Sequence, residues 1–367
     1  MALDIHTTIL LGGFAVAAIA GATMAKTNFC TMGAVADWVN MGHLGRLRAW
    51  MLAVAVAIAG LLVLEWTGIV KLPDNTFPPY RTPQFAWARY LLGGALFGIG
   101  MALGGGCGTK TLIRVGGGSL RALFVAAVIA AVAYATFATD IFNVLVMSWL
   151  EPTVVNLSTH QIAGQNIDAL LGLDPRSGRA IVGLLFVAGL LAFVFSSAPF
   201  RRNRNLMLGG VVVGAAVVLG WYLTGGPHSA GWIENAEMAE PQPSRVQVQT
   251  MTFIAPLGDT LRFLMQPGQT HLLSYGIMTV FGVVAGSFAY SLAQRRLRLE
   301  WFASWRDFAS HLAGGVLMGF GGVTAMGCTI GQGIGGMSTL ALGSLLALLA
   351  MIAGAAATIK LQYVLSD

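Results

Sequence analysis

Charged residues are scarce in this chain. Asp, Glu, Lys and Arg together make up 10% of its 367 residues, whereas apolar residues make up 56%. Soluble domains carry about 25% charged residues, so this composition excludes an ordinary soluble protein and indicates an integral membrane protein. The formal net charge is +6, but no basic cluster lies outside the expected membrane-edge loops, and we therefore exclude a nucleic-acid partner.

Cysteine is also rare. The chain has three, Cys30, Cys107 and Cys328, and none belongs to a Cys-x-x-Cys pair. Three cysteines cannot all pair, and these lie beside apolar, glycine-rich segments, so we interpret them as free thiols rather than a disulfide framework. The histidines are dispersed and provide no Cys/His spacing typical of a metal site. We therefore expect neither a resident metal nor another cofactor.

Long apolar runs, in contrast, are abundant. About 20 apolar residues cross a bilayer, and the chain predicts nine transmembrane helices, near 8–25, 48–66, 87–104, 119–138, 179–198, 206–224, 271–293, 309–326 and 339–361. The N-terminal segment lacks the basic region of a secretory signal peptide, so we expect the first span to be retained. The polar stretches 140–177 and 225–269 are predicted to hold short surface or re-entrant helices, the clearest at 253–265.

Basic residues predict the orientation, because Lys and Arg collect in cytoplasmic loops. An external N-terminus places most of them inside: Lys26, Arg46, Arg48, Lys110, Arg114, Arg121, Arg201, Arg202, Arg204, Arg295, Arg296, Arg298, Arg306 and Lys360. Fewer are left outside: Lys71, Arg81, Arg89, Arg176, Arg179, Arg245 and Arg262. The charge distribution therefore predicts an external N-terminus and a cytoplasmic C-terminus.

A glycine-rich motif that ends in cysteine occurs twice. The first copy runs from Gly93 to Cys107 and the second from Gly314 to Cys328, with the two cysteines 221 positions apart. The same offset relates four glycine pairs: Gly94 and Gly315, Gly98 and Gly319, Gly100 and Gly321, and Gly106 and Gly327. Spaced glycines alone are common at helix-packing faces. Their repetition up to the same Gly-Cys pair favours a symmetric two-thiol site.

The predicted topology reverses one copy relative to the other. The span that ends at Cys107 runs inward, and the span that ends at Cys328 runs outward. We therefore predict one transport domain, 1–367, of two inverted repeats, 1–177 and 178–367, an architecture that recurs in transporters with broken central helices. Each cysteine is expected to lie at a helix break near the bilayer midplane, with a short helix beginning after it.

Several polar residues adjoin the two thiols. Lys110 follows Cys107 by three positions, and a charge near the bilayer interior is usually functional, although a loop lysine that only sets topology is the alternative. Thr109, Thr329 and Gln332 could donate hydrogen bonds to a substrate or satisfy a turn. The backbone of four flanking glycines is expected to line a pore: Gly106, Gly108, Gly327 and Gly331. Asn28 is expected to cap the short segment at 30–40.

The residue pattern leaves three uses for the thiols open. They could bind a soft metal ion such as copper(I), pass a sulfur atom covalently from one cysteine to another, or hold a soft sulfur-containing anion through S–H hydrogen bonds. Thiols are weak donors and acceptors, so contacts of the third kind would hold an anion loosely enough for transport. No catalytic residue is assigned.

The chain resembles the YeeE/YedE sulfur-transport family. The resemblance rests on NFC around Cys30, GGGCGT around Cys107 and GGVTAMGCTIGQGIGGMSTLALGS around Cys328, with LMLGG at 206–210, and runs over essentially the whole chain. It implies an all-α, hourglass-like bundle of nine spanning helices plus short re-entrant helices, in two inverted repeats around a central pore. It also implies that Cys30, Cys107 and Cys328 relay thiosulfate by S–H hydrogen bonds.

The same resemblance sets the functional expectation. It implies a transporter in a bacterial inner membrane that takes up thiosulfate into the cytoplasm. Expected partners are thiosulfate or a related sulfur anion, the lipid bilayer and a cytoplasmic thiol-bearing sulfur carrier. The alternatives are a transporter of another sulfur or selenium species, and a membrane sulfurtransferase that forms a cysteine persulfide. Arg89, Arg245 and Arg262 are expected to concentrate the anion at the outer mouth.

Overall fold

A computed structural model describes residues 4–366, and these residues form a predominantly helical protein. The first part of the chain forms six helices: α1 (Ile5–Thr27), α2 (Thr31–Met41), α3 (Gly45–Trp66), α4 (Trp87–Leu103), α5 (Gly108–Gly116) and α6 (Leu120–Ala138). Strand β1 (Gln84–Phe85) pairs antiparallel with β2 (Val155–Asn156) in a minimal two-stranded sheet. The expected all-α membrane class is confirmed by this content.

Short elements fill the central stretch. They are α7 (Asp140–Phe142), a π-helical segment (Asn143–Met147), α8 (Ser148–Leu150), two 3₁₀ turns (Glu151–Thr153 and Leu157–His160) and α9 (Ile167–Leu170). The remaining helices are α10 (Ser177–Phe195), α11 (Ala198–Arg202), α12 (Arg204–Gly225), α13 (Ser229–Met238), α14 (Ile254–Met265), α15 (Tyr275–Ala293), α16 (Trp305–Thr324) and α17 (Leu342–Ser366), with a 3₁₀ turn at Thr270–Leu272 and a π-helical segment at Gly331–Gly336. Helix α14 confirms the short helix predicted at 253–265.

Eight helical segments among residues 4–366 are long and apolar enough to cross a bilayer. They are Ile5–Met41, Gly45–Trp66, Trp87–Gly116, Leu120–Ala138, Ser177–Phe195, Arg204–Gly225, Tyr275–Ala293 and Leu342–Val364. The ninth expected span, near 309–326, corresponds to α16, which has 20 residues. Arg306, Asp307, His311 and several glycines lower its hydropathy. Helix α16 packs against α4 and α6, so its small residues face protein rather than lipid.

Helices α4 and α16, which carry the two copies of the motif, cross in close antiparallel contact. A methyl group added at Gly93 would lie 2.8 Å from the carbonyl oxygen of Gly321, and one at Gly100 would lie 2.8 Å from that of Gly314. Gly93 and Gly314 are equivalent positions in the two copies, as are Gly100 and Gly321. Each contact is therefore the counterpart of the other, and the absent side chains let the two backbones meet.

The outer faces of the same two helices pack against equivalent partners. Gly94 and Gly98 of α4 lie against the backbone of α17 at Ala347 and Met351. Gly315 and Gly319 of α16 lie against α6, beside Val128 and Val132. The glycine row at offset 221 therefore serves two packing faces on each helix, and it fixes four helices around one crossing.

The buried side chains of Arg81 and Asp168, outside this crossing, are in ion pairs. Arg81, which is 6% exposed, binds the Glu65 carboxylate through both terminal nitrogens, at 2.5 and 2.9 Å. Arg179 reaches the same carboxylate at 3.3 Å and Asp168 at 3.1 Å. The network joins the end of α3 to α9 and α10. A buried charge is tolerated when it is paired and hydrogen-bonded.

The crossing predicts a sharp difference between two glycine-to-alanine substitutions. Gly93→Ala should force α4 and α16 apart, because the new methyl group would meet backbone atoms of Gly321 and Ala325. We expect a loss of about 1–3 kcal/mol, typical of overpacking. Gly189→Ala in α10 is the matched control, because no atom lies within 4 Å of its added methyl group. Thermal unfolding of the purified protein in detergent measures both; equal melting temperatures would contradict the close crossing.

Candidate functional site

Each of the three cysteines lies where a short helical segment begins. Cys30 is the N-cap of α2, and its Sγ accepts a hydrogen bond from the Gly33 amide at 3.3 Å. Cys107 is the N-cap of α5. The Sγ of Cys328 accepts from the Gly331 amide at 3.5 Å, where a π-helical segment starts. The short helix expected after each thiol is thus present, and amide groups point toward the sulfur atoms.

Asn28 does not cap the segment that follows Cys30, and that expectation was wrong. Asn28 instead ends α1 in a left-handed conformation, with φ of 52°, which Asn tolerates better than most residues. Its side-chain oxygen accepts a hydrogen bond from the Lys110 ammonium at 3.4 Å. Cys30 caps α2 instead, because the residue immediately before this helix has an extended backbone.

The two thiols of the first half lie together. Cys30 and Cys107 lie near each other, and the Lys110 ammonium lies near both sulfur atoms. The thiols are 9% and 2% exposed, and that of Cys328 is fully buried. All three cysteines are free. The structure thus brings together three residues expected at the site: Cys30, Cys107 and Lys110.

Three threonines next to the thiols have buried hydroxyl groups with no hydrogen-bond partner among the described residues: Thr31, Thr109 and Thr329. Thr31, which the sequence did not single out, directly follows Cys30 and is 4% exposed, while Thr109 is 3% exposed and Thr329 is fully buried. Thr329 lies close to the Cys107 thiol, which links the second half of the chain to the first. A buried hydroxyl without a partner is costly, so these three groups are suited to receive a polar ligand.

The side chain of Gln332 forms its hydrogen bonds with other residues of the protein. Its amide nitrogen donates to the carbonyl oxygens of Ala325 and Met326, at 2.8 and 3.2 Å. Its Oε1 accepts from the Ser344 hydroxyl at 2.6 Å. The side chain therefore ties the turn before Cys328 to the start of α17. Tyr80, which the sequence did not single out, supports the other side of this turn by donating to the Gly331 carbonyl at 2.7 Å.

The turns before Cys107 and Cys328 have matching backbones. Gly105 and Met326, again 221 positions apart, both adopt left-handed conformations, with φ of 65° and 56°. Such a conformation costs a residue with a side chain roughly 1–2 kcal/mol. The four glycines expected to line a pore, Gly106, Gly108, Gly327 and Gly331, are all buried beside the thiols. Of these, Gly327 borders a cavity.

That cavity, of about 400 Å³, lies next to the Cys328 turn. It is bordered by Phe77, Pro78, Pro79, Arg89, Thr136, Phe137, Phe142, Met147, Thr252, Ala255, Gly322, Val323, Met326 and Gly327. Arg89 is the one charged side chain among these described residues. Arg245 lies at the edge, paired with Asp259 and stacked over the rings of Phe77 and Phe137. Arg262 is exposed outside the cavity.

Comparison with known proteins gives a consistent result over nearly the whole chain. The chain is 26% identical over 350 residues to the thiosulfate transporter TsuA of Escherichia coli strain K12, covering 89% of this chain and 87% of that protein. It is 28% identical over 278 residues to the thiosulfate transporter TsuA of Spirochaeta thermophila, covering 72% and 74% of the two chains. The profile of the Sulphur transport family matches residues 26–357. The chain therefore belongs to the Sulphur transport family, as its resemblance to the YeeE/YedE proteins predicted.

Proposed function

We propose that this protein takes up thiosulfate through a narrow central path lined by three thiols. The observation that carries the proposal is the placement of Cys30, Cys107 and Cys328 at three short-helix starts in the buried core of the protein. Two relatives that match most of the chain are named thiosulfate transporters. A large polarisable anion is matched to weak S–H donors, because each contact binds it without trapping it.

Two inverted repeats, 1–177 and 178–367, would build this path. The reciprocal contacts of Gly93 with Gly321 and of Gly100 with Gly314 support a two-fold relation between α4 and α16. With α16 counted as a span, nine helices cross the membrane, and the loop charges favour an external N-terminus and a cytoplasmic C-terminus. The hourglass narrows where the breaks at Cys107 and Cys328 meet, in the inner membrane of a bacterium.

The anion would pass from Cys328 to Cys107 and then to Cys30. The cavity beside Met326 and Gly327 leads toward Cys328 from the expected outer side. Thr329 next to Cys107 bridges the two halves, and Cys30 next to Cys107 continues the path inward. Lys110 compensates the negative charge at this inner end. Thr109 and Thr329 supply hydroxyl donors where the anion leaves water.

The membrane potential opposes thiosulfate uptake, because the anion carries two negative charges into a negative interior. Moving a dianion into a negative interior costs about 4.6 kcal/mol per 100 mV. Uptake therefore needs a coupled cation, a steep gradient or rapid removal of the product. A cytoplasmic thiol-bearing sulfur carrier would provide that removal: its thiolate attacks the terminal sulfur of thiosulfate, the S–S bond breaks, a persulfide forms on the carrier and sulfite leaves.

Two other functions use the same thiols. A sulfurtransferase would retain substrate sulfur on a cysteine as a persulfide. Thiosulfate labelled in its terminal sulfur therefore distinguishes a sulfurtransferase from a transporter. A transporter accumulates intact thiosulfate in proteoliposomes and leaves no label on denatured protein. Metal analysis of the purified protein, with a competition assay, separates a soft-metal transporter from an anion carrier. Growth of a sulfur auxotroph on thiosulfate, with and without this chain, tests uptake in cells.

The thiols themselves give the first prediction of this function. Cys107→Ala and Cys328→Ala should each lower the initial rate of thiosulfate uptake about tenfold or more, the loss expected for about 1.4 kcal/mol of weaker binding. Cys107→Ser and Cys328→Ser should also be impaired, because a hydroxyl is a harder donor for a sulfur atom. Membrane level and melting temperature serve as controls. Normal uptake by both Ser variants would overturn thiol-specific recognition.

Lys110 gives a second prediction. If its charge serves the anion, Lys110→Gln should reduce uptake about tenfold, whereas Lys110→Arg should keep most of the rate because the cation remains. Arg114→Gln is the matched control, since it removes a cation about one turn further along α5. Equal uptake by the Lys110→Gln and Arg114→Gln variants would mean that Lys110 acts only in setting topology.

Gln332 is expected to position the Cys328 turn rather than to bind the anion. Gln332→Ala should leave the carbonyls of Ala325 and Met326 without their donor, at a cost of about 1–3 kcal/mol in unfolding free energy. The melting temperature should therefore fall, while the Michaelis constant (KM) of the protein that stays folded changes little. A wild-type melting temperature combined with a large rise in KM would instead identify Gln332 as a direct ligand.

A further inference from the structure

Thiosulfate has two unlike ends, a soft terminal sulfur and a hard sulfonate group with three oxygens. The cavity beside Cys328 also has two unlike parts. We propose that this cavity is a binding vestibule in which Arg89 and Thr252 hold the sulfonate oxygens, so that the terminal sulfur is directed at the Cys328 thiol. The proposal rests on the proposed function and deepens it by assigning the residues that orient the substrate.

Arg89 has an unused guanidinium group in the cavity wall. It lies in the first turn of α4 and is half-buried. Its Nε is buried without a hydrogen-bond partner, and the guanidinium makes no salt bridge to any described residue. The exposed Glu151 is the acidic residue that interacts electrostatically with this guanidinium. A planar fork of N–H donors binds an oxyanion in bidentate fashion, so this group matches the sulfonate end.

Thr252 provides a hydroxyl on the same cavity. It is 2% exposed, and its Oγ1 lies 2.6 Å from the position that a side chain at Gly331 would occupy. Gly331 is the residue whose amide binds the Cys328 sulfur. Glycine at 331 therefore lets the Thr252 hydroxyl, a hard donor, pack against the residue whose amide binds the Cys328 sulfur.

The turn that contains Thr252 corresponds to the turn that contains Cys30 in the first half. Cys30 lies in the turn that leads into α2, which is followed by the long helix α3. Thr252 lies in the turn that leads into α14, which is followed by the long helix α15. The inner turn thus carries a thiol and the outer turn a hydroxyl. A hydroxyl suits the end of the path where an oxyanion arrives from water.

The other walls of the cavity strengthen these contacts. Phe77, Phe137 and Phe142 are aromatic, and no described lining residue is acidic. Electrostatic attraction increases in such a low-dielectric surrounding. Sulfate could bind Arg89 through its oxygens but has no soft atom for Cys328, whereas sulfide lacks the oxyanion. The vestibule and the thiol together therefore select anions that carry both an oxyanion group and a soft terminal sulfur.

Initial uptake rates in proteoliposomes over a range of thiosulfate concentrations test the assignment. Arg89→Gln should raise KM about tenfold, the effect of losing a charge-assisted hydrogen bond, and change the maximal rate less than twofold. Thr252→Val should raise KM roughly threefold, and Thr252→Ser should recover most of that loss because it restores the hydroxyl. Lys71→Gln is the control, since it removes an exposed cation on the expected outer side but outside this cavity.

Inhibition by sulfate provides a readout that a purely structural role would not alter. Sulfate should compete with thiosulfate in the wild type, and Arg89→Gln should weaken this competition about as much as it raises KM. If Arg89→Gln does not fold, Arg89→Lys keeps the charge but loses the fork and should show a smaller rise in KM. Wild-type KM in the Arg89 and Thr252→Val variants, with uptake still impaired in Cys328→Ala, would overturn the vestibule and leave the function intact. Absence of thiosulfate uptake by the wild type would instead overturn the function.

Discussion

The close approach of α4 and α16 is the constraint on which the rest of the structure depends. Side chains at Gly93 or Gly321 would separate the two backbones, and each helix ends only a few residues before a cysteine. The crossing therefore determines where α4 and α16 end and where the helical segments that follow them begin. Packing of this kind needs small residues because lipid offers no hydrophobic incentive for helices to associate.

The breaks turn a packing interface into a polar site. A broken helix exposes amide groups that regular hydrogen bonding would use, and at this depth only protein or water can satisfy them. Cys30 and Cys328 accept such amides through sulfur, while Gln332 and Tyr80 hold the carbonyls around the second break. The protein thus satisfies the backbone with side chains, and three threonine hydroxyls beside the thiols stay without a hydrogen-bond partner among the described residues.

In the proposed path, the two halves of the chain differ in function at the positions where the two copies of the motif carry different residues. Lys110 follows the first break by three residues, and Gly331 follows the second by the same number. In the proposed path this puts a fixed cation at the inner end and an open backbone at the outer end, where Arg89 supplies the charge instead. Met326 keeps the left-handed backbone of Gly105 but adds a thioether to the cavity wall. Sequence repetition therefore preserved the fold of the break more strictly than its chemistry.

Composition, span length and the repeated Gly-Cys motif were enough to predict the membrane class, the helix at 253–265 and the short helices after the thiols, because apolar length and glycine spacing act locally along the chain. The same pattern predicts α16 as a ninth span, which stays a prediction because its glycines and charges make it less apolar than the eight helical segments that are apolar enough to cross a bilayer. The meeting of Cys30 with Cys107, the use of Gln332 within the protein and the place of Thr252 were decided only by the tertiary structure. The first and last of these depend on segments that are far apart in sequence, and no local periodicity encodes which side chains then meet. Gln332 bonds to residues close to it in sequence, but its partners depend on how the turn before Cys328 folds.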